Sequence, residues 1–189
     1  MAAMKPRRSP LAMAVLSLVV ETPMHAYRMQ QLIKERHKDD VVNVAQRNSV
    51  YQTIDRLLRD GLITVRTTAR EENRPERTVY EPTADGRDTL REWMRAMLST
   101  PKPEFPEFPA ALAFLPVVTV DEAVEALTER LTTLETRVAA LDAELTDGAT
   151  FLPRVFLVET EYQRTVVAAE AEYVRRLLGD LRSGEIHWP

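Results

Sequence analysis

The stretch Asn48–Thr67, NSVYQTIDRLLRDGLITVRT, decides how this chain folds. Its apolar residues recur at helical spacing on one face: Val50, Ile54, Leu57 and Leu58. This period predicts an amphipathic helix that starts near Asn48 and reaches Asp60. Gly61 follows at a position suited to a left-handed helix end. The alternation of residues 62–67 predicts a β-strand directly after it.

Two helices are predicted before this stretch. Ser9-Pro10 and Thr22-Pro23 each combine a hydroxyl that can cap a helix with a proline suited to the first helical position. After the stretch, the polar residues 70–76 separate the first strand from Thr78-Val79-Tyr80, which predicts a β-hairpin. Pro82-Thr83 begins a fourth helix. The predicted order is three helices, a hairpin and a helix.

The second half of the chain follows a different pattern. Four prolines between residues 101 and 109 break any helix and indicate a boundary. Thr119 and Glu122 form a capping-box signal, and a helix behind them carries an apolar heptad seam made of Val124, Leu127, Leu131, Leu134, Val138, Leu141 and Leu145. A last helix is predicted from about Pro153 to Leu181, with one apolar stripe made of Val155, Val158, Tyr162, Val166, Ala169, Tyr173 and Leu177.

These patterns predict a mainly α fold with a small β-hairpin wing. A winged helix-turn-helix occupies residues 1–98, a Pro-rich linker with a short apolar segment residues 99–118, and a coiled-coil-like helical dimerisation domain residues 119–189. A seam of seven apolar residues needs a partner. The last helix can cover part of the seam, and a second copy of the chain the rest, so we expect a homodimer with the seam at its interface.

The charge is divided unevenly along the chain. Residues 1–95 contain 17 Lys and Arg against 13 Asp and Glu, a net charge of +4, whereas residues 96–189 have a net charge of −8. A basic half joined to an acidic half indicates one part that faces a polyanion and one that avoids it. The excess of basic residues is too small to identify a DNA-binding protein by itself.

Composition also excludes several classes of function. There are no cysteines, which excludes disulfides and thiolate chemistry and favours a cytoplasmic protein. The apolar run Leu11–Val20 is too short to span a bilayer and has no cleavage site after it. The three histidines have no metal-ligand spacing, and no phosphate-binding loop or nucleophile elbow is present. We therefore expect neither an enzyme nor a metal, a cofactor or a membrane partner.

The predicted third helix and hairpin carry side chains suited to double-stranded DNA. A recognition helix enters the major groove, where arginine can bind guanine, and asparagine or glutamine can bind adenine. Arginines at a hairpin tip can reach phosphates. The expected DNA-binding residues are Tyr27, Gln46, Arg47, Asn48, Ser49, Tyr51, Gln52, Arg56, Arg70, Arg74 and Arg77.

Three segments of residues 11–95 together resemble the PadR family of transcriptional regulators. They are Thr22-Pro23-Met24-His25-Ala26-Tyr27, then Ser49-Val50-Tyr51 continuing to Gly61-Leu62-Ile63, and Arg77-Thr78-Val79-Tyr80-Glu81-Pro82-Thr83 continuing to Arg87. Phe105–Leu112 and the closing Ser183–Pro189 resemble the longer-tailed branch of that family, which has a helical C-terminal dimerisation domain. Ala26 and Asn48 depart from the family's usual glycines.

The resemblance implies a repressor that binds a palindromic operator as a homodimer and leaves it when a small hydrophobic or phenolic effector binds. An effector is expected between the DNA-binding part and the C-terminal helices, where the candidate lining residues are Trp93, Met94, Met97, Phe105, Phe108 and Phe114. The alternative is a winged-helix and coiled-coil adaptor that binds protein and not specific DNA. Strong salt dependence of DNA binding distinguishes the regulator from the adaptor.

Overall fold

The computed structural model describes residues 6–43, 49–69 and 77–188, apart from the side chains of residues 40, 68, 69 and 77. The chain is mainly helical with one small antiparallel sheet, which confirms the predicted helical fold with a β-hairpin wing. It divides into two compact units, Met1–Pro103 and Glu104–Pro189. Within the described residues no helix is both long and apolar enough to cross a membrane.

The described residues of the N-terminal unit form four α-helices, a short 3-10 turn at Lys38–Asp40 and three strands. They are α1 (Pro10–Glu21), β1 (Met24–His25), α2 (Ala26–Glu35), α3 (Ser49–Arg59), β2 (Ile63–Ala69), β3 (Arg77–Pro82) and α4 (Ala84–Ser99). As predicted, Ser9 caps α1: its side chain accepts a hydrogen bond from the backbone N–H of Ala12 at 3.1 Å, and Pro10 follows at the first helical position.

The start of α2 differs from the sequence prediction. Thr22-Pro23 does not open this helix, because Met24 and His25 first pair with Tyr80 and Val79 of β3. The sheet therefore has three strands in the order β1-β3-β2. The helix begins at Ala26, and His25 Nδ1 caps it by accepting a hydrogen bond from the Arg28 backbone N–H at 3.1 Å. A strand of two residues has no period, so the pattern along the sequence could not reveal it.

The core of the N-terminal unit fixes α3. Val50, Ile54 and Leu57 are at most 1% exposed, and they belong to the same buried cluster as the apolar face of α1 and Trp93 of α4. Burying each such side chain stabilises the fold by about 1.5–3 kcal/mol before entropy is counted. Because one face of α3 is committed to this core, its opposite face is held outward.

A tight junction joins the end of α3 to the start of α4. Gly61 adopts a left-handed conformation with φ of 70°, which lets the Leu62 N–H bond to Leu57 O at 2.9 Å. The Thr83 hydroxyl donates to Gly61 O at 2.7 Å and accepts from Gly86 N at 3.0 Å. A Cβ at Gly86 would lie 1.9 Å from the Leu62 carbonyl oxygen. The first turn of α4 therefore packs directly on the backbone between α3 and β2.

The C-terminal unit is built on a helical hairpin. Its helices are α5 (Glu107–Ala113), α6 (Val120–Gly148) and α7 (Val158–Ser183), with short 3-10 turns at Leu115–Val117 and Arg154–Phe156. The predicted capping box is present: the Thr119 side chain and Glu122 bond to each other's backbone N–H groups. Ion pairs join α6 to α7, including Arg164 with Asp142 at 2.9 Å.

The structure corrects two features of the last helix. It starts at Val158 and not near Pro153, because Arg154–Phe156 form a 3-10 turn. Leu177 of its predicted apolar stripe is buried, but the rest of that stripe is largely exposed, and the buried face of the helix contains mainly other residues: Thr160, Ala171, Val174, Leu178 and Leu181. We name the exposed side chains Val158, Tyr162, Val166 and Tyr173 the α7 stripe.

The junction at Gly86 supplies a stability prediction. Gly86→Ala should destabilise the fold by about 1–3 kcal/mol, because the new methyl group would clash with backbone atoms of Leu62, which cannot rotate aside as a flexible side chain can. Gly179→Ala on α7 is the matched control, since outside its chain neighbours and its own helix backbone no atom lies within 4 Å of the point that its methyl group would occupy. That change should raise stability by about 0.4–1 kcal/mol. Urea unfolding followed by circular dichroism measures both, and equal effects would contradict the close contact.

Candidate nucleic-acid interface

One side of α3 projects four side chains into solvent. Tyr51, Gln52, Asp55 and Arg59 are all exposed, and we name this set the reading face. Their spacing places them on adjacent turns of one side of the helix, opposite the buried Val50, Ile54 and Leu57. The set combines aromatic, amide, acidic and basic groups, which suits contact with both base edges and phosphates.

Two of the predicted DNA-binding residues, Tyr51 and Gln52, belong to the reading face, and the structure also describes Ser49 and Tyr27. Tyr51 is 48% exposed and Gln52 is exposed, while Ser49 is half-buried at the start of α3. Tyr27 at the start of α2 is 56% exposed, and its ring stacks with His25 at a centroid distance of 6.3 Å. An exposed tyrosine with a rigid neighbour can donate its hydroxyl to a phosphate oxygen.

Arg56 differs from its neighbours on α3. It is half-buried, and Nη2 donates to the Ser9 hydroxyl at 3.2 Å, at the cap of α1. Its guanidinium therefore joins the two helices and is directed away from the centre of the reading face. Its place among the DNA-contacting residues stays a prediction.

The structure does not describe the side chains of the other predicted DNA-binding residues. Gln46, Arg47, Asn48, Arg70 and Arg74 lie outside the described residues. Arg77 begins β3, but its side chain is not described.

The stem of the wing presents another cation. The register of β2 against β3 shifts between Val65 and Thr67, so Arg66 lies at a β-bulge, a feature that redirects side chains. The Arg66 side chain is 55% exposed and its Nε lies 3.8 Å from a Glu81 carboxylate oxygen. Neither Arg66 nor Arg59 was among the predicted contacts. The polar face of α3 already contained the signal for Arg59, whereas the bulge at Arg66 depends on strand pairing.

Tyr80 links the wing to the reading face. Burial raises the pKa of its hydroxyl above the ordinary value, and the carboxylate of Asp55 raises this pKa further. A hydrogen bond with Thr78 lowers the pKa, and Tyr51 raises it. These electrostatic interactions place Asp55 and Tyr51 of α3 near Tyr80 of β3.

A separate open pocket lies within the C-terminal unit. It has a volume of about 510 Å³ and is lined by residues of α5, α6 and α7 and by the turn before α5. The Arg130 guanidinium lies 3.7 Å from the centre of the Phe108 ring and donates through Nε to Glu170 at 2.7 Å. Leu112 and Tyr173 complete its apolar wall. Pockets of this size with a few fixed polar groups accommodate small ligands.

Of the six predicted effector residues, Phe108 lines this pocket. Trp93 is 5% exposed and belongs to the core of the N-terminal unit. Met94 and Met97 lie on α4, exposed and half-buried respectively. Phe105 and Phe114 are 95% and 71% exposed. The two units, each taken by itself, do not gather these six residues at one site.

The predicted dimer residues also have partners within the chain. Val124, Leu127, Leu131 and Leu134 pack with α7 residues that include Val174. Leu141 is buried, and Val138 and Leu145 are half-buried. Much of the α6 seam is thus covered by α7 of the same chain, and the uncovered apolar surface includes the α7 stripe.

No group of three or more histidine, aspartate or glutamate side chains is placed to hold a metal ion in the part of the chain that the structure describes.

Comparison with known proteins shows which family and which solved structures this chain is similar to. Residues 15–92 match the transcriptional regulator PadR-like family. A search of curated proteins found no significant match. The fold is similar to Bacillus subtilis PadR in complex with operator DNA, with 20% identity, a TM-score of 0.71, and coverage of 92% of this chain and 99% of that chain.

Two further structures share the fold. Bacillus subtilis PadR in complex with p-coumaric acid has 18% identity, a TM-score of 0.69, and coverage of 91% of this chain and 98% of that chain. A PadR-like regulator from Bacillus cereus has 15% identity, a TM-score of 0.64, and coverage of 92% and 98%. Bacillus subtilis PadR and the Bacillus cereus protein are both named as transcriptional regulators. Residues 15–92 thus match the PadR-like family of transcriptional regulators, as the motifs predicted, and the chain as a whole has the fold of the solved PadR structures.

Proposed function

We propose that this protein is a sequence-specific DNA-binding transcriptional repressor that acts as a homodimer and responds to a small aromatic effector. The observation that carries this proposal is the reading face: polar side chains project from α3 while its other side is locked in the core. In this arrangement α3 enters the major groove and the β2–β3 hairpin lies against the neighbouring backbone. The solved complex of Bacillus subtilis PadR with operator DNA supports DNA as the partner of this fold. The expected cytoplasmic location stays a prediction.

The dimer is needed because one N-terminal unit offers few basic contacts. Its net charge is modest, so phosphate contacts alone supply little affinity. Two copies related by a two-fold axis would present two α3 helices about 34 Å apart to a palindromic site. The α7 stripe is the proposed contact surface, since exposed tyrosine and valine side chains in one row favour association. The α6 seam contributes where α7 leaves it half-exposed.

The effector is proposed to bind the pocket beside Phe108. Its aromatic wall and its Arg130–Glu170 pair suit an aromatic ring with a hydrogen-bonding substituent. The complex of Bacillus subtilis PadR with p-coumaric acid supports a phenolic ligand. An effector weakens operator binding only if it prefers the dimer conformation that fits DNA poorly.

The DNA-binding proposal is tested by fluorescence anisotropy. The probe is a duplex from directly upstream of the gene, with a scrambled duplex beside it. Gln52→Ala should weaken binding to the upstream duplex about tenfold through loss of a base contact. Arg59→Ala should weaken binding to both duplexes and reduce the salt slope by about one. Arg95→Ala, an exposed cation on α4, is the control and should change the slope less. Equal binding of both duplexes with little salt dependence would favour the protein-binding adaptor instead.

The dimer surface is tested by sedimentation velocity with circular dichroism. Tyr162→Asp should give a monomer with native helix content, because it places a charge in the α7 stripe, where Tyr162 is 70% exposed. Leu131→Asp should lose helix content, since Leu131 packs between α6 and α7. Thr133→Asp on the exposed side of α6 is the control and should stay dimeric. A dimeric Tyr162→Asp variant would assign the interface to another surface.

The effector site is tested by titrating p-coumaric acid into the protein–DNA complex. The acid should release the wild-type protein, and Phe108→Ala should require about tenfold more acid. Phe105→Ala is the matched control, because Phe105 is 95% exposed and does not line the pocket. If the Phe108→Ala variant left the DNA at the same acid concentration as the wild type, this pocket would be excluded as the effector site. No release of the wild type would remove the acid as effector while leaving the DNA-binding proposal intact.

A further inference from the structure

Asp55 lies in the middle of the reading face. It follows Gln52 by three residues and precedes Arg59 by four, so the three side chains lie on successive turns of one side of α3. Asp55 is exposed. Its carboxylate is therefore directed at whatever α3 binds.

A carboxylate at this position opposes non-specific DNA binding, because it repels the phosphates that supply that affinity. None of the ion pairs between described residues includes Asp55 or Arg59, which follows it by one helical turn. Its location beside the wing is fixed by packing, since α3 is locked in the core and Asp55 lies near Tyr80 of β3. The fold thus holds a negative charge in the DNA-facing surface.

Ionised aspartate only accepts hydrogen bonds. In the major groove, cytosine offers the N4 amino group as a donor, whereas guanine and thymine present acceptor oxygens at O6 and O4. Adenine pairs its N6 donor with the N7 acceptor, which repels the second carboxylate oxygen. The base that complements an ionised carboxylate is cytosine.

We propose that Asp55 is a specificity-determining residue that selects cytosine at one position of each operator half-site. This inference rests on the proposed function, namely that α3 lies in the major groove. The carboxylate accepts a hydrogen bond from the N4 amino group of cytosine, whereas the partial negative charge of guanine O6 or thymine O4 repels it. The expected discrimination is between about fivefold and 150-fold, the range of a good side-chain contact with a base edge.

The test is selection from a randomised duplex library with the full chain, followed by sequencing. The wild type should enrich a two-fold motif with one Asp55-dependent cytosine in each half. Asp55→Asn should change that base to adenine, because an amide offers the donor and acceptor that match adenine N6 and N7. Asp55→Ala should lose the preference at that position alone and bind unrelated duplexes more tightly, since the repulsion is gone.

Asp60→Asn is the matched control. It removes the same charge from an exposed residue just after α3, and it should leave the motif unchanged. An unchanged motif with both Asp55 variants, together with tighter binding to every duplex, would overturn the proposal and leave Asp55 as a purely electrostatic element. Absence of any enriched motif with the wild type would instead overturn the proposed function and this inference with it. Circular dichroism confirms that the compared variants are folded.

Discussion

The contact between the first turn of α4 and the Leu62 carbonyl controls the geometry of the N-terminal unit. Four elements meet there: the end of α3, the start of β2, the end of β3 and the start of α4. Thr83 N donates to Leu62 O at 3.1 Å, and the Thr83 hydroxyl binds Gly61 O. Only a residue without Cβ allows α4 to approach so closely. The reading face and the hairpin therefore share one rigid support, which is what simultaneous contact with groove and backbone requires.

The C-terminal unit uses its apolar surface in two ways. The α6 seam is largely satisfied inside the chain by Val174, Leu178 and other residues of α7, which stabilises the helical hairpin. The α7 stripe is left in water, and exposed apolar surface of this kind marks an interaction site. In the proposed dimer, the acidic second half of the chain would join two N-terminal units and be repelled by DNA.

Affinity and specificity have different sources at the proposed interface. Arg59 and Arg66 are exposed cations on α3 and at the wing stem, and such groups bind phosphates without regard to sequence. Asp55 has the opposite sign and lies between Gln52 and Arg59 on the reading face. A surface that weakens general attraction while adding base contacts favours discrimination between sites, because specificity is a difference of affinities. A modest positive charge in this half of the chain is consistent with that arrangement.

Elements whose causes are local were predictable from the sequence. The helical period of Val50, Ile54 and Leu57, the cap at Ser9, the capping box at Thr119 and the left-handed Gly61 all depend on neighbours within a few residues. Contacts between residues far apart in the chain set the pairing of Met24 with Tyr80, the bond from Arg56 to Ser9, and which apolar row of α7 faces α6. A period in the sequence shows that a helix has an apolar face, but burial depends on distant residues that the period does not encode. For that reason the sequence predicts the apolar stripe on α7 but does not show that most of this stripe is exposed.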